Sequence, residues 1–205
     1  MTSSMVRDAV KDNLLTPQNS ALVIIDYQPA QVQSINSMDR AQLVKNIAVT
    51  AQIAKAFKLP VILSTVNVKS GQNGDTIEGL KNVLGDTPSC DRTAINAWED
   101  KEFYQAVKAA GRKKLIMTAL WTEACLTFPT LDALKEGYEV YPVVDAVGGT
   151  SKIAHKTALK RMAQAGAQLT SIAQLACELQ RDWNRKETAP AFLQIMFDAG
   201  IFLKM

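Results

Sequence analysis

Two short apolar runs, Ala21-Leu22-Val23-Ile24-Ile25 and Leu115-Ile116-Met117, stand out because no polar residue alternates with them. A strand with one face in water alternates, so an unbroken run predicts a strand covered on both faces, as in a parallel sheet between helix layers. Around these runs the pattern switches to helical spacing. Leu43, Ile47, Ala54 and Phe57 follow Asp39, a good N-cap, and predict an amphipathic helix over 39–58. Leu59 to Val66 then reads as a strand with Pro60 at its start, and 76–84 as a short helix. Residues 85–98 form a connection with a short strand at most, and 99–110 a helix that Gly111 ends.

The strand at Leu115 hands over, at Thr122-Glu123, to a helix reaching about Glu136. Tyr138 to Val144 is the next strand, and Ser151 starts a helix that stops at Gly166. Gln168 to Thr170 reads as a last short strand and 172–183 as the last helix of the body. This alternation predicts an α/β fold, with a parallel sheet in a three-layer α/β/α sandwich and right-handed crossovers. The 205 residues suit a single domain. Residues 1–20 are polar and irregular and predict an arm over the surface or a neighbour. Residues 187–205, with Phe192, Leu193, Met196, Phe197, Ile201 and Phe202, are unusually apolar for a terminus, and a partner subunit is the simplest cover.

Composition narrows the function classes. With 47% apolar and 21% charged residues the chain carries a core rather than extended disorder. The net charge is +3 and the cations are scattered, apart from Gly111-Arg112-Lys113-Lys114, which reads as a solvated turn; no nucleic-acid surface is predicted. No run is long enough to span a bilayer. Cys90, Cys125 and Cys177 lie far apart with no CxxC pair, and no leader-like segment precedes the body, so a reducing, cytoplasmic setting is expected. A single histidine, His155, excludes a histidine-rich metal site, and any triad built on another histidine. It sits mid-helix, where packing is the ordinary role and chemistry the alternative. Neither GxGxxG nor GxxxxGK[ST] occurs, which removes the dinucleotide and P-loop readings.

Two residues sit where chemistry is expected. Asp26 closes the first strand at its carboxyl end, the edge at which open α/β sheets bind ligands; it is either a site carboxylate or a loop cap. Cys125 falls in the first turn of a helix after the central strand. There the free N–H groups of the turn are expected to lower a thiol's pKa and to favour an oxyanion, the alternative being a buried small residue. Asn96 and Trp98 either line a pocket or pin their loop to the core.

Asp26 with Gln28 close behind, Ile95-Asn96-Ala97-Trp98 and Thr122-Glu123-Ala124-Cys125, in that order and spacing, resemble the isochorismatase-like cysteine hydrolases, in particular their YcaC-type branch. The likeness extends through Asp145, the stretch from Arg161-Met162 to Gly166-Ala167, and Cys177 to Trp183. It implies a six-stranded parallel sheet and a triad of aspartate, lysine and cysteine, falling here on Asp26, Arg92 and Cys125. Arginine at the lysine position departs from the commonest pattern and matches the YcaC-like proteins; it can hold Asp26 but will not exchange protons. The resemblance also implies a non-proline cis peptide at Leu120-Trp121, an oxyanion site at the amides of Trp121 and Cys125, and no metal or other cofactor. It further implies a homo-oligomer, tetramer or octamer.

The expected reaction is attack on an amide or related C–N carbonyl of a small molecule, through a thioester. Gln28, Asn96, Trp98, Trp121 and Phe128 are candidates for the substrate pocket, each with a structural role as the alternative. Two other functions stay open: an isochorismatase-type vinyl ether hydrolysis without a cysteine nucleophile, and a non-catalytic oligomeric or binding protein on the same fold.

Overall fold

The structure, a computed structural model, describes residues 6–202. The outermost parts of the predicted arm and tail, residues 1–5 and 203–205, lie outside the described residues. The chain runs β1 (Ser20–Ile25), α1 (Pro29–Gln33), α2 (Arg40–Ala56), β2 (Val61–Val66), α3 (Glu78–Leu84), β3 (Ser89–Arg92), α4 (Lys101–Ala110) and β4 (Lys114–Ala119). It continues through α5 (Thr127–Lys135), β5 (Glu139–Pro142), α6 (Lys152–Gln164), α7 (Ile172–Gln180) and α8 (Ala189–Asp198). A 3₁₀ turn, Ala97–Glu99, precedes α4, and a π-helical turn, Thr122–Leu126, precedes α5.

The sheet is parallel, in the order β3-β2-β1-β4-β5. The unbroken apolar run of β1 has the predicted cause. Leu22 and Ile24 join a core with Leu43 and Ile47 of α2 and Leu80 of α3, whereas Ala21, Val23 and Ile25 join a second core with Phe103 of α4 and Met162 of α6. Burying each large aliphatic side chain in this way contributes about 1.5–3 kcal/mol. Helix starts are marked by side chains that accept a backbone N–H: Asp39 from Gln42, Asp100 from Phe103, Ser151 from Ala154 and Ser171 from Gln174. Gly111, at φ +61°, ends α4 in the left-handed conformation that favours glycine.

Several expectations are corrected. Among the described residues the sheet has five strands, not six. Gln168 to Thr170, read as a strand, lies beside β5 through backbone bonds such as Thr170 N–H to the Pro142 carbonyl, but forms only an isolated bridge, Val143 with Thr170. The reason is length: Ser171 caps α7 at once and leaves no residues to extend a ladder. Lys114 is not a solvated turn residue. It is buried at the start of β4, and its ammonium donates to the Asn13 carbonyl, Glu139 and Tyr141.

The apolar tail forms α8 and covers part of itself. Phe192 and Met196 enter the core beside α2, and Phe192 packs with the rings of Trp183 and Phe202. The described part of the N-terminal arm is tied down as well: Leu15 is fully buried and its N–H donates to Glu178 of α7 at 2.8 Å. No described helix is long and apolar enough to cross a membrane.

Candidate active site

The strand order reverses between β1 and β4, so these neighbours open a crevice at their carboxyl ends. Asp26 follows β1 and Cys125 follows β4, while β3, beyond β2, ends in Arg92. Asp26 is fully buried and has φ +64°, a left-handed conformation uncommon for any residue with a side chain and least so for Asn and Asp. Its own N–H is held by the Ser64 carbonyl at 3.0 Å. Local backbone strain of this kind is stored where the surroundings over-determine it, as they do here.

Arg92 over-determines it. Its Nη1 and Nη2 donate to the two Asp26 oxygens, each at 2.7 Å, in a bidentate fork with both side chains out of water. Nη1 also reaches Ser64 Oγ and the Thr65 carbonyl, and Nη2 the Ile95 carbonyl. Burial pulls the guanidinium pKa down, but the Asp26 carboxylate, together with Cys125 and Asp100, more than offsets it, and the net direction is upward. A permanently charged Arg92 fits a holding role rather than proton transfer.

Cys125 lies in the π-helical turn and is 8% exposed. Its sulfur faces the Asp26 carboxylate and the backbone N–H of Trp121, both of which act on it electrostatically. The expectation of a lowered thiol pKa is corrected. Burial pushes it up to about 12, the Asp26 charge adds to the rise, and Arg92 and the Trp121 N–H pull back only in part. The resting group is therefore a thiol facing a carboxylate. The Leu120–Trp121 peptide bond is cis.

The remaining pocket candidates do not gather around this centre by their polar atoms. Gln28 clasps the chain: its Nε2 donates to the Val66 and Gly74 carbonyls and its Oε1 accepts from Val66 N–H. Asn96 donates to Asp132 and Glu99 and accepts from Trp98 N–H, and Trp98 Nε1 donates to Glu136 at 2.8 Å while its ring packs on Phe103, Tyr104 and Tyr138. Trp121 Nε1 donates to Ser34 Oγ, and Phe128 is half-buried in the first turn of α5. A cleft of about 1110 Å³ runs between the N-terminal arm and the α7–α8 connection, lined among others by Asp12, Arg181, Trp183 and Leu193; none of Asp26, Arg92 and Cys125 lines it. Among the described residues no three or more Asp, Glu, His or Cys side chains cluster as metal ligands.

Sequence reasoning missed Ser64 and Thr65, which complete the seat of Arg92. A signal was available for Ser64, whose hydroxyl interrupts the apolar start of the strand Val61–Val66, but not for Thr65, which holds Arg92 by its backbone carbonyl. It also missed Thr122 and Glu123 as anchors of the Cys125 turn.

The chain matches the model of the isochorismatase domain over residues 20–174. It is 38% identical over 170 residues to the probable hydrolase YcaC of Escherichia coli, covering 82% of this chain and 81% of that protein. Among solved structures, YcaC from Pseudomonas aeruginosa with hexane-2,5-diol and covalent acrylamide superposes with a TM-score of 0.81 at 33% identity, over 92% of this chain and 98% of that one. Escherichia coli YcaC, an octameric hydrolase of unknown specificity, superposes with a TM-score of 0.81 at 34% identity, over 93% and 98%. With its aspartate and cysteine at the reversal of a parallel sheet and the domain model matched over most of its length, the chain belongs to the isochorismatase family of hydrolases.

Proposed function

We propose that the chain is a cysteine hydrolase that cleaves an amide or related C–N bond of a small molecule through a thioester on Cys125. The observation that carries this reading is the Cys125 thiol under the charge of Asp26, a buried carboxylate that follows the neighbouring strand and that Arg92 clamps in place. Because the thiol rests protonated, the Asp26 carboxylate takes its proton as the C–S bond forms. The carbonyl becomes an oxyanion, which the backbone N–H groups at Trp121 and Cys125 bind; such donors contribute roughly 3 kcal/mol each. The Asp26 acid then returns the proton to the departing amine as the C–N bond breaks. Water attacks the thioester with Asp26 again as base, releasing the carboxylic acid and the thiol. Arg92 moves no proton in either half.

The Pseudomonas aeruginosa relative carries covalent acrylamide, an electrophile that bonds to nucleophilic side chains such as thiols, and this supports a reactive nucleophile. The octameric Escherichia coli relative supports a homo-oligomer, which multi-angle light scattering at micromolar concentration tests; a monomer would remove that part of the reading.

The catalytic part is tested by alkylation with iodoacetamide followed by mass mapping of all three cysteines, in the native chain and in Asp26→Asn. Cys125 is expected to react fastest despite its burial, and to slow in the variant. A Cys125 no more reactive than the half-buried Cys90 and exposed Cys177 would abandon the nucleophile. The non-catalytic reading would then take its place.

A further inference from the structure

The turn that carries Cys125 is gripped at its first residue. Thr122 is fully buried, and each of its polar groups is engaged. Its N–H donates to the Gly148 carbonyl at 2.9 Å, and its own carbonyl accepts both the N–H and the hydroxyl of Thr127, the hydroxyl at 2.6 Å. Its hydroxyl pairs with Nδ1 of His155, on α6, at 2.9 Å. A buried threonine hydroxyl has few alternatives to such a partner, since water does not reach it. This is the chain's only histidine, and it spends a ring nitrogen on the turn that holds the thiol.

A second clamp acts beside the first. Thr150 donates its N–H and its hydroxyl to Glu123 Oε1, at 2.9 and 2.5 Å. Gly149 makes the close approach possible: a Cβ there would lie 2.5 Å from Glu123 Oε2 and 3.1 Å from His155 Cβ. The loop and the start of α6 therefore meet the turn without a side chain between them.

We infer that His155, through its hydrogen bond to Thr122, is a positioning residue that sets where the Cys125 sulfur stands against Asp26. The inference rests on the nucleophile proposed above. His155 touches none of the reacting groups; it acts on the first residue of a π-helical turn, whose extra residue per turn leaves the following side chains dependent on how that turn is anchored. A displacement of the sulfur by a fraction of an ångström lengthens the proton path to a carboxylate that cannot follow, because Arg92 holds both of its oxygens.

The test is the rate of iodoacetamide alkylation at Cys125 in His155→Ala, His155→Asn, Thr122→Val and the double variant Thr122→Val/His155→Ala, with Cys90 and Cys177 as internal references. His155→Ala and Thr122→Val are each expected to slow Cys125 about ten-fold. The double variant is expected to be no slower than either single one, because both remove the same bond. Asparagine places an amide near the position of Nδ1, so His155→Asn is expected to recover most of the rate; a role in packing alone would not be rescued by that smaller side chain.

Rates in His155→Ala and Thr122→Val within about two-fold of native, with Asp26→Asn still slow, would overturn the positioning role and leave the nucleophile standing. Additive losses in the double variant would also overturn it. A native Cys125 that is no faster than the reference cysteines would instead remove the nucleophile, and this role with it. Thermal melts identify any variant that is merely unfolded, and Thr122→Val, nearly isosteric, keeps the question answerable if His155→Ala does not fold.

Discussion

Asp26 and Asp145 follow strands at the same edge of one sheet, yet the fold gives them different work. Asp26 follows β1, where the strand order reverses, and meets the guanidinium of Arg92 and the thiol of Cys125. Asp145 follows β5, at the sheet's outer edge, and accepts the Ile172 N–H at the start of α7 at 3.0 Å, while burial raises its carboxyl pKa above the ordinary range. A carboxylate at a strand's carboxyl end is thus not by itself a site. In the function proposed above, it becomes one where neighbouring strands diverge and a cation fixes it.

The comparison breaks most visibly at Arg92. Arg92→Ala leaves Asp26 buried and unpaired, and urea melts are expected to show a loss of about 3–5 kcal/mol. A loss below about 1 kcal/mol would mean that water or another donor reaches Asp26 readily. Next in size, Asp26→Asn is expected to slow Cys125 alkylation about a hundredfold at neutral pH, since a neutral amide cannot take the thiol proton. Asp145→Asn in the same assay is expected to leave the rate unchanged; equal effects would erase the distinction between the two aspartates.

A third prediction sharpens the contrast through pH. The folded Cys125 thiol titrates near 12, above its ordinary value of 9.0, so the unfolded chain ionises first. The stability this contributes is complete below about 9 and is lost as pH rises toward 12. Cys125→Ala should therefore lose less stability than the native chain between those values, as read by urea melts at stepped pH. Parallel curves would place the thiol in contact with water. The smallest effect is expected for Asp145→Asn on stability, within about 0.5 kcal/mol, because the asparagine oxygen can still accept from Ile172 and the replaced carboxylate was already disfavoured by burial.

How much of this was legible follows from the range of the forces involved. The covered strands could be read because a side chain's burial on alternate faces leaves its mark locally, in an unbroken apolar run. The caps at Asp39 and Ser151 were legible for the same reason, each bonding to a residue three places on. Lys114 was not, since its partners Asn13, Glu139 and Tyr141 come from other parts of the chain and nothing nearby marks an ammonium for burial. The pairing of Arg92 with Asp26 spans 66 residues and entered only through resemblance. The direction of the Cys125 shift was not legible, because burial and the facing carboxylate, both set by the fold, outweigh the local effect of the turn's N–H groups. The tail read as apolar without being read as a helix, because α8 finds its cover on α2, far away in sequence.

The left-handed backbone at Asp26 makes this position a double sieve for any saturation library. Conformation admits glycine and asparagine most readily and discourages longer or branched residues. The proposed chemistry admits only a carboxylate, and so favours glutamate, which the first sieve opposes and whose extra methylene would push it past the fork of Arg92. The two sieves overlap at aspartate alone. Selection for folding, which must also keep the buried guanidinium of Arg92 paired, is thus expected to return aspartate with asparagine next, whereas selection for turnover is expected to return a single genotype.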